Sequence, residues 1–547
     1  MTKSVGLDRY LLSEFVKKRK NGYLHKLVFG MKEFLDGLKS LDDEANWLVD
    51  GRRSISRFDT ISRVINLVGS LQSREILADD LIAIFSFNRV EYMETLLAAT
   101  VGGVRYTPIN WHSSTQELSY ILSDAAPKAL FVDPALFEVA SKAIQQSAFS
   151  GVVYVYGDHE EADDVETVNY EAAIENANFP DDVDETVFGT PMFYTSGTTG
   201  RPKGVRGSLL PPGTTLANFS VAYNSRIGTP PFGVTLLDGP IYHSGQWLYA
   251  FLPMLAGSST VIQGKFDALE TLRAIERWKV TNIHLVPTQF VRILKLDEEL
   301  RRSFDYSSLV KVWHGAAPCP PVVKSQIIEL FGDCVTEYYG STELGVNTMI
   351  SADEAVKKPG SIGKAVPGVD IAILGEDGEP LPRGIPGIIA TRSQRSFFYH
   401  NEPDKTKATM IGDRYSTVGD VGYMDEDGYL FISDRKIDMI ISGGVNIYPA
   451  EIEAVIHRHP DVLDVAVIGI PDDEFGESVL ALVSPVDPKR ADEALAAELV
   501  DLCKENLSGY KVPRRIDFVG EIPRSLAGKI LKHQIRAPYW SDTSRKI

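Results

Sequence analysis

The run Tyr194-Thr-Ser-Gly-Thr-Thr-Gly-Arg-Pro-Lys-Gly204 constrains this 547-residue chain more than any other stretch. Gly197, Gly200 and Gly204 admit the positive φ values that turn successive backbone N–H groups inward as an anion nest. Thr195, Ser196, Thr198 and Thr199 add hydroxyl donors, and Lys203 adds a positive charge. The apolar stretch from Val187 to Tyr194 predicts a strand leading into the loop. An ordinary polar turn also fits, although plain turns rarely string so many such residues together. The P-loop of nucleoside triphosphatases does not fit. It needs Gly-Lys-Ser/Thr, whereas Lys203 stands between Pro202 and Gly204. The loop therefore predicts a polyphosphate site on an α/β scaffold.

Further runs carry chemistry of their own. Trp313-His-Gly-Ala-Ala-Pro318 follows the apolar Leu309 to Val312 and reads as a strand ending in a small-residue turn, open to a flat ring. Thr336-Glu-Tyr-Tyr-Gly-Ser-Thr-Glu343 brings an aromatic face, a hydroxyl and a hard carboxylate oxygen into one short run. Thr417-Val-Gly-Asp420 supplies a carboxylate able to accept two hydrogen bonds, and Arg435 a guanidinium. Gly422 to Tyr429 reads as a hairpin turn. In Asp438 to Glu451 an apolar strand ends in Ser442-Gly443-Gly444, and Pro449 marks a helix start. Lys529 lies between a strand reading over Tyr510 to Gly520 and a helix starting near Ile530. Taken singly, most of these also fit an ordinary turn or a solvated charge.

Taken in order, from about Asp79 to Lys532, the runs resemble the signatures of the adenylate-forming superfamily, which includes acyl-CoA synthetases, luciferase-like enzymes and nonribosomal peptide adenylation domains. The resemblance implies ATP, Mg²⁺ and CoA, and a carboxylic acid joined to the α-phosphate. It assigns the nest residues Thr195 to Gly200 and Lys203 to the phosphates. Gly315, Ala316 and Ala317 are assigned to adenine. Tyr339 would face the adenine ring and Glu337 would accept from its amino group, with Tyr338, Gly340 and Ser341 completing the nucleotide site. Thr342 is assigned to the α-phosphate and Glu343 to Mg²⁺. Asp420 and Arg435 would hold the ribose. His243, in Gly239-Pro-Ile-Tyr-His243, would gate the acyl group. Ser442, Gly443 and Gly444 would line a pantetheine tunnel, and Lys529 would bridge the carboxylate and phosphate. The resemblance also implies a small C-terminal domain that swings between half-reactions. Its hinge falls on Ile437, where the family usually has Asp or Lys.

The fold class expected is α/β, with a large adenylation domain over 1–435 and a mobile lid domain over 436–547. Ile82 to Phe87, Tyr106 to Asn110 and Ala129 to Val132 read as strands, and Asn88 to Ala98 as a helix. Beyond the boundary, strands at Val465 to Ile470 and Val479 to Val483 alternate with a helix over Ala491 to Asn506. Gly157 to Thr186 reads as acidic surface loops with a helix.

Acidic residues outnumber basic ones, 74 to 56, for a net charge of −18. That argues against nucleic-acid binding. ATP and CoA would then need a local basic patch drawn from Arg201, Lys203, Arg206, Arg435, Lys436, Lys529 and Lys532. Three scattered cysteines and no secretory signal predict a reducing cytoplasm. The uncharged stretch from Gly239 to Gly264 is broken by polar residues and reads as core and pocket rather than a membrane span. The basic stretch from Tyr10 to Lys39 reads as a surface helix. A homodimer is compatible with these features.

No acidic residue stands near His243 to hold an α-ammonium, and no carrier-protein serine motif follows Lys532. A stand-alone acyl-CoA synthetase for a fatty or bulky ring-bearing acid is therefore expected. The alternatives are a carrier-protein-loading or β-lactone-forming relative and, in another class, a non-catalytic nucleotide-binding relative.

Overall fold

A computed structural model describes residues 46–158, 166–175, 187–195, 202–207, 214–393, 395–412, 414–435, 438–442, 445–472, 475–524 and 530–540. The stretch from Tyr10 to Lys39 lies outside them.

Continuous apolar runs build two largely parallel sheets. Leu81–Phe85 and Ala129–Val132 are buried almost throughout, as strands covered on both faces must be. They sit inside a five-stranded parallel sheet with Arg105–Ile109, Val152–Val155 and Thr167–Asn169. A nine-stranded sheet runs in the order Lys364–Ala365, Gly345–Ser351, Val335–Ser341, Lys311–His314, Asn282–Leu285, Val234–Leu237, Ser259–Ile262, Asn46–Val49 and Ser54–Ser56. Its six central strands are parallel, and its outer pairs are antiparallel. The helix Val90–Val101 is buried along its whole length, as expected of a helix apolar all round. It shares one core with Trp47 and Leu48 of the nine-stranded sheet and Ile82 and Ile84 of the five-stranded one, so it joins the two layers.

Two smaller antiparallel sheets adjoin. Phe193–Thr195, Lys203–Gly207 and Phe397–Tyr399 form one. Val369–Leu374, Gly387–Ser393, Met410–Ile411, Tyr415–Ser416, Asp420–Met424 and Leu430–Arg435 form the other. After position 438 a separate sheet pairs Val462–Asp472 with Gly476–Pro485, whose other edge takes Ile440–Ser442, followed by Val445–Ile447, near its start and Arg515–Phe518 further along, and closes its core with Pro449–Ile456 and Glu493–Asn506. Among the described residues no helix is long and apolar enough to cross a membrane.

Two expected strands differ. The approach from Val187 does not pair as a strand until Phe193; Pro191 has no N–H to donate and makes only a single bridge, to Tyr106. The strand read before the small-residue turn is Lys311–His314; it starts two residues into the apolar run because Leu309 closes a turn on the Tyr306 carbonyl.

His284 and His314 lie on adjacent strands and are 2% and 0% exposed. Burial, reinforced by His243, lowers the His284 pKa to about 3. Burial, reinforced by Lys324 and then His284, holds His314 well below the ordinary range. Both stay neutral while the unfolded chain's histidines take protons below about pH 6.5. Stability from these groups is therefore full above that pH and is lost as pH falls toward the folded values, at up to about 1.4 kcal/mol per pH unit for each. His284→Gln should flatten the fall of melting temperature between about pH 6.5 and 4.5; an unchanged slope would remove this residue from the account.

Candidate active site

In open α/β sheets, ligands sit beyond the carboxyl ends of the parallel strands. Three of the sequence-predicted segments leave the nine-stranded sheet there. Gly239 to His243 follows Val234–Leu237, Gly315 to Ala317 follows Lys311–His314, and Thr342 and Glu343 follow Val335–Ser341. The turn after His314 is tight: a Cβ on Gly315 would lie 2.6 Å from the Tyr338 carbonyl oxygen, and Ala316 takes φ +66°. Backbone strain of that kind gathers at functional sites.

The strand Val335–Ser341 sends alternate side chains to opposite faces. Tyr338 turns into a cluster with Tyr249 and Trp313, while Tyr339 joins the core of the neighbouring antiparallel sheet. The Tyr339 hydroxyl donates to Asp420 at 2.7 Å, which ties the predicted adenine and ribose residues together. Backbone register sets Arg435 opposite Asp420. Glu337 is 5% exposed and ion-paired with the buried Lys324 of the helix Pro321–Phe331. Burial pushes its carboxyl up and Lys324 pulls it back.

His243 stands before a short helix, Ser244–Gln246, that passes into a five-residue π-helix, Trp247–Phe251. Such π segments are frequent at functional sites. Trp111 meets Tyr242 edge-on at 4.9 Å, and the Tyr242 and His243 rings lie 4.5 Å apart. The Gln246 amide donates to His284 Nδ1 at 3.0 Å, which leaves the ring proton on Nε2 facing the Tyr338 hydroxyl at 3.0 Å. This chain of polar groups fixes the π segment to the strand carrying Thr342. Ser244 Oγ and Thr342 Oγ1 then meet at 3.0 Å.

The hairpin Phe193–Thr195 and Lys203–Gly207 arrives from the other side, with Thr195 opposite Lys203. Tyr194 donates to Asp124 at 2.6 Å and anchors it to the helix Thr115–Ala125. Phe397–Tyr399 pairs with Lys203–Gly207, so the Lys203 ammonium lies 5.1 Å from the centre of the Tyr399 ring. The Tyr399 hydroxyl donates to Glu343 Oε1 at 3.0 Å. Burial, then the Glu343 charge, raises the Tyr399 pKa, which keeps it a donor at neutral pH. Lys203, Glu343, Thr342 and His243 thus belong to one neighbourhood drawn from three separate segments. Arg395 joins it, donating from Nη2 to the Thr342 carbonyl at 3.2 Å.

Ser196, Gly197, Thr198, Thr199, Gly200, Ile437, Gly443, Gly444 and Lys529 lie outside the described residues. Their flanks are visible. Ser442 pairs with Val445. Arg524 bridges Ile530 across the segment holding Lys529. Arg524 is held by Asp464 at 2.8 Å and Lys532 by Glu453 at 3.0 Å. Sequence reasoning missed Tyr399, Arg395, His284 and Lys324. Tyr399 sits in the aromatic strand Phe397–Tyr399 like any sheet residue, and the other three carry no local motif.

The arrangement has counterparts. Residues 41–397 match the model of the AMP-binding enzyme family, and residues 451–529 match the AMP-binding enzyme C-terminal domain. The indoleacetate–CoA ligase of Aromatoleum aromaticum is 31% identical over 92% of this chain and 97% of its own length. The feruloyl-CoA synthase of an Amycolatopsis species is 31% identical over 89% of this chain and 94% of its own. The ATP-bound crystal structure of MatB from Rhodopseudomonas palustris superposes with a TM-score of 0.78 at 29% identity, covering 94% of this chain and 99% of that one. With its two matched regions and its strand-end site, the chain belongs to the AMP-binding, adenylate-forming enzymes, alongside acyl-CoA ligases.

Proposed function

We propose that this enzyme joins a ring-bearing carboxylic acid to AMP, releases pyrophosphate and passes the acyl group to CoA in a reducing cytoplasm. The observation that carries the reading is the meeting of Lys203, Tyr399 and Glu343 beside the Ser244–Thr342 hydroxyl pair. The acid class rests on relatives named for indoleacetate and ferulate, and the reducing compartment on three free cysteines.

A carboxylate is a poor acyl electrophile because its leaving group would be oxide. Attack of a carboxylate oxygen on the α-phosphorus breaks the bond to pyrophosphate and leaves a mixed anhydride whose leaving group is AMP. The cost lies in gathering anions, so positioning and charge neutralisation dominate. Lys203 and the nest over 195–200 hold the phosphates. Thr342, fixed by Ser244 and by Arg395 on its carbonyl, points its hydroxyl at the α-phosphate. Asp420, aligned by Tyr339, takes the ribose. Glu343, held by Tyr399, fits Mg²⁺, since a carboxylate oxygen beside phosphate oxygens is the donor set that ion prefers; when bound it would neutralise charge on the phosphates. His243, at the mouth of the π segment, borders the acid. Lys529 places its ammonium between acid and α-phosphate, and Ser442 to Gly444 admit the thiol of CoA.

Residues 1–435 act as the adenylation unit and 436–547 as the lid. Lys529→Ala should lower acid-dependent pyrophosphate release by about 10²–10³; release at the normal rate would overturn the assignment. Ile437→Pro should leave adenylate formation intact and cripple thioester formation, followed as loss of the free CoA thiol. Equal losses in both half-reactions would count against a swinging lid.

A further inference from the structure

We propose that the acid's binding pocket reads an acceptor oxygen on the far side of the substrate, through Arg395, Trp313, Tyr249 and Tyr223. This rests on the acyl-ligase reading above and narrows its substrate class to ring acids bearing a distal oxo or carboxylate group.

Among the buried polar atoms that lack a hydrogen-bond partner within the described residues are Arg395 Nε, Trp313 Nε1 and the hydroxyls of Tyr249 and Tyr223. Trp313 and Tyr249 are each 1% exposed. Leaving one such group unpaired costs about 1–3 kcal/mol, and native proteins tolerate few of them. Here they converge. Tyr249 stacks on Trp313 with centroids 4.8 Å apart, and Tyr223 packs against the same cluster. Burial lowers the Arg395 pKa, against which the Tyr223 hydroxyl and the Glu343 charge act, and no ion pair within contact distance completes its guanidinium among the described residues.

The cluster also lies beside the reacting end. Arg395 Nη2 holds the Thr342 carbonyl at 3.2 Å. Gly345, at φ +73°, lets the guanidinium approach, since an added Cβ would come within 2.4 Å of Nη1. An acid whose carboxylate meets Thr342 therefore has its remaining atoms within reach of these groups. An indole N–H and a guanidinium only donate. Their complement is an acceptor, the oxygen of a ketone or a second carboxylate. A plain hydrocarbon tail would leave every one of the four unpaired.

The test compares kcat/KM for pyrophosphate release with 3-cyclohexylpropanoate, 3-(4-oxocyclohexyl)propanoate and 3-(4-carboxycyclohexyl)propanoate, using the full chain. The wild type should favour one oxygen-bearing acid over the plain acid by about tenfold to a hundredfold, the range for a hydrogen bond to a charged donor. Which acid is favoured identifies the oxygen. Arg395→Gln, Trp313→Phe and the near-isosteric Tyr249→Phe should each pull that ratio toward one, through KM for the oxygen-bearing acid. Each variant is compared only where its melting temperature matches the wild type, so that a kept ratio reports on the pocket and not on loss of fold. A wild-type ratio near one, or a ratio kept in all three variants, overturns the proposal while leaving the ligase reading intact. No acid-dependent release with any acid overturns both.

Discussion

One strand does two jobs, and the site depends on it. Val335–Ser341 lies between a parallel neighbour, Lys311–His314, and an antiparallel one, Gly345–Ser351. The period-two alternation of its side chains sends Tyr338 into one core and Tyr339 into another. A slip of one residue would exchange these faces. Tyr339 would leave Asp420, Tyr338 would leave His284, and Thr342 would leave Ser244. Burial on both sides makes such a slip costly, so the position of the reacting groups is fixed by the core rather than by the loop that carries them.

The polar groups behind this strand fall into two kinds. Glu337 and Lys324 neutralise each other, and Gln246, His284 and Tyr338 form a chain with neutral histidine at its centre. These groups have partners inside the protein, although Gln246 Oε1 has no hydrogen bond among the described residues. Trp313 Nε1 and the Tyr249 hydroxyl are not completed within it, although they lie in the same cluster as Tyr338. Burial of both kinds in one layer separates groups that hold the scaffold from groups available to a ligand.

Much of this was legible in the residues. Apolar runs located Leu81–Phe85, Ala129–Val132 and Gly476–Pro485 to within a few positions, because a strand covered on both faces has to be apolar throughout. The segments Gly239 to His243, Gly315 to Ala317 and Thr342-Glu343, singled out by their residues, follow strands of the nine-stranded sheet. What was not legible lies where two distant segments decide the outcome. Lys324 meets Glu337 only through the fold. Tyr399, which no motif marks, reaches Glu343 once its strand pairs with Lys203–Gly207. Val187 to Tyr194 is apolar like a strand, yet Pro191 makes only a single bridge, to Tyr106.

The edges of the nine-stranded sheet carry one more consequence. They close on Lys364–Ala365 and Ser54–Ser56, strands of two and three residues, the first with both side chains exposed and the second with no side chain buried. An edge that short, with lysine on one side, is a poor template for stacking against another molecule's ladder. A wide sheet of this kind would otherwise polymerise readily; here the chain can be crowded in a cell with its largest hydrogen-bonding surface already brought to a stop.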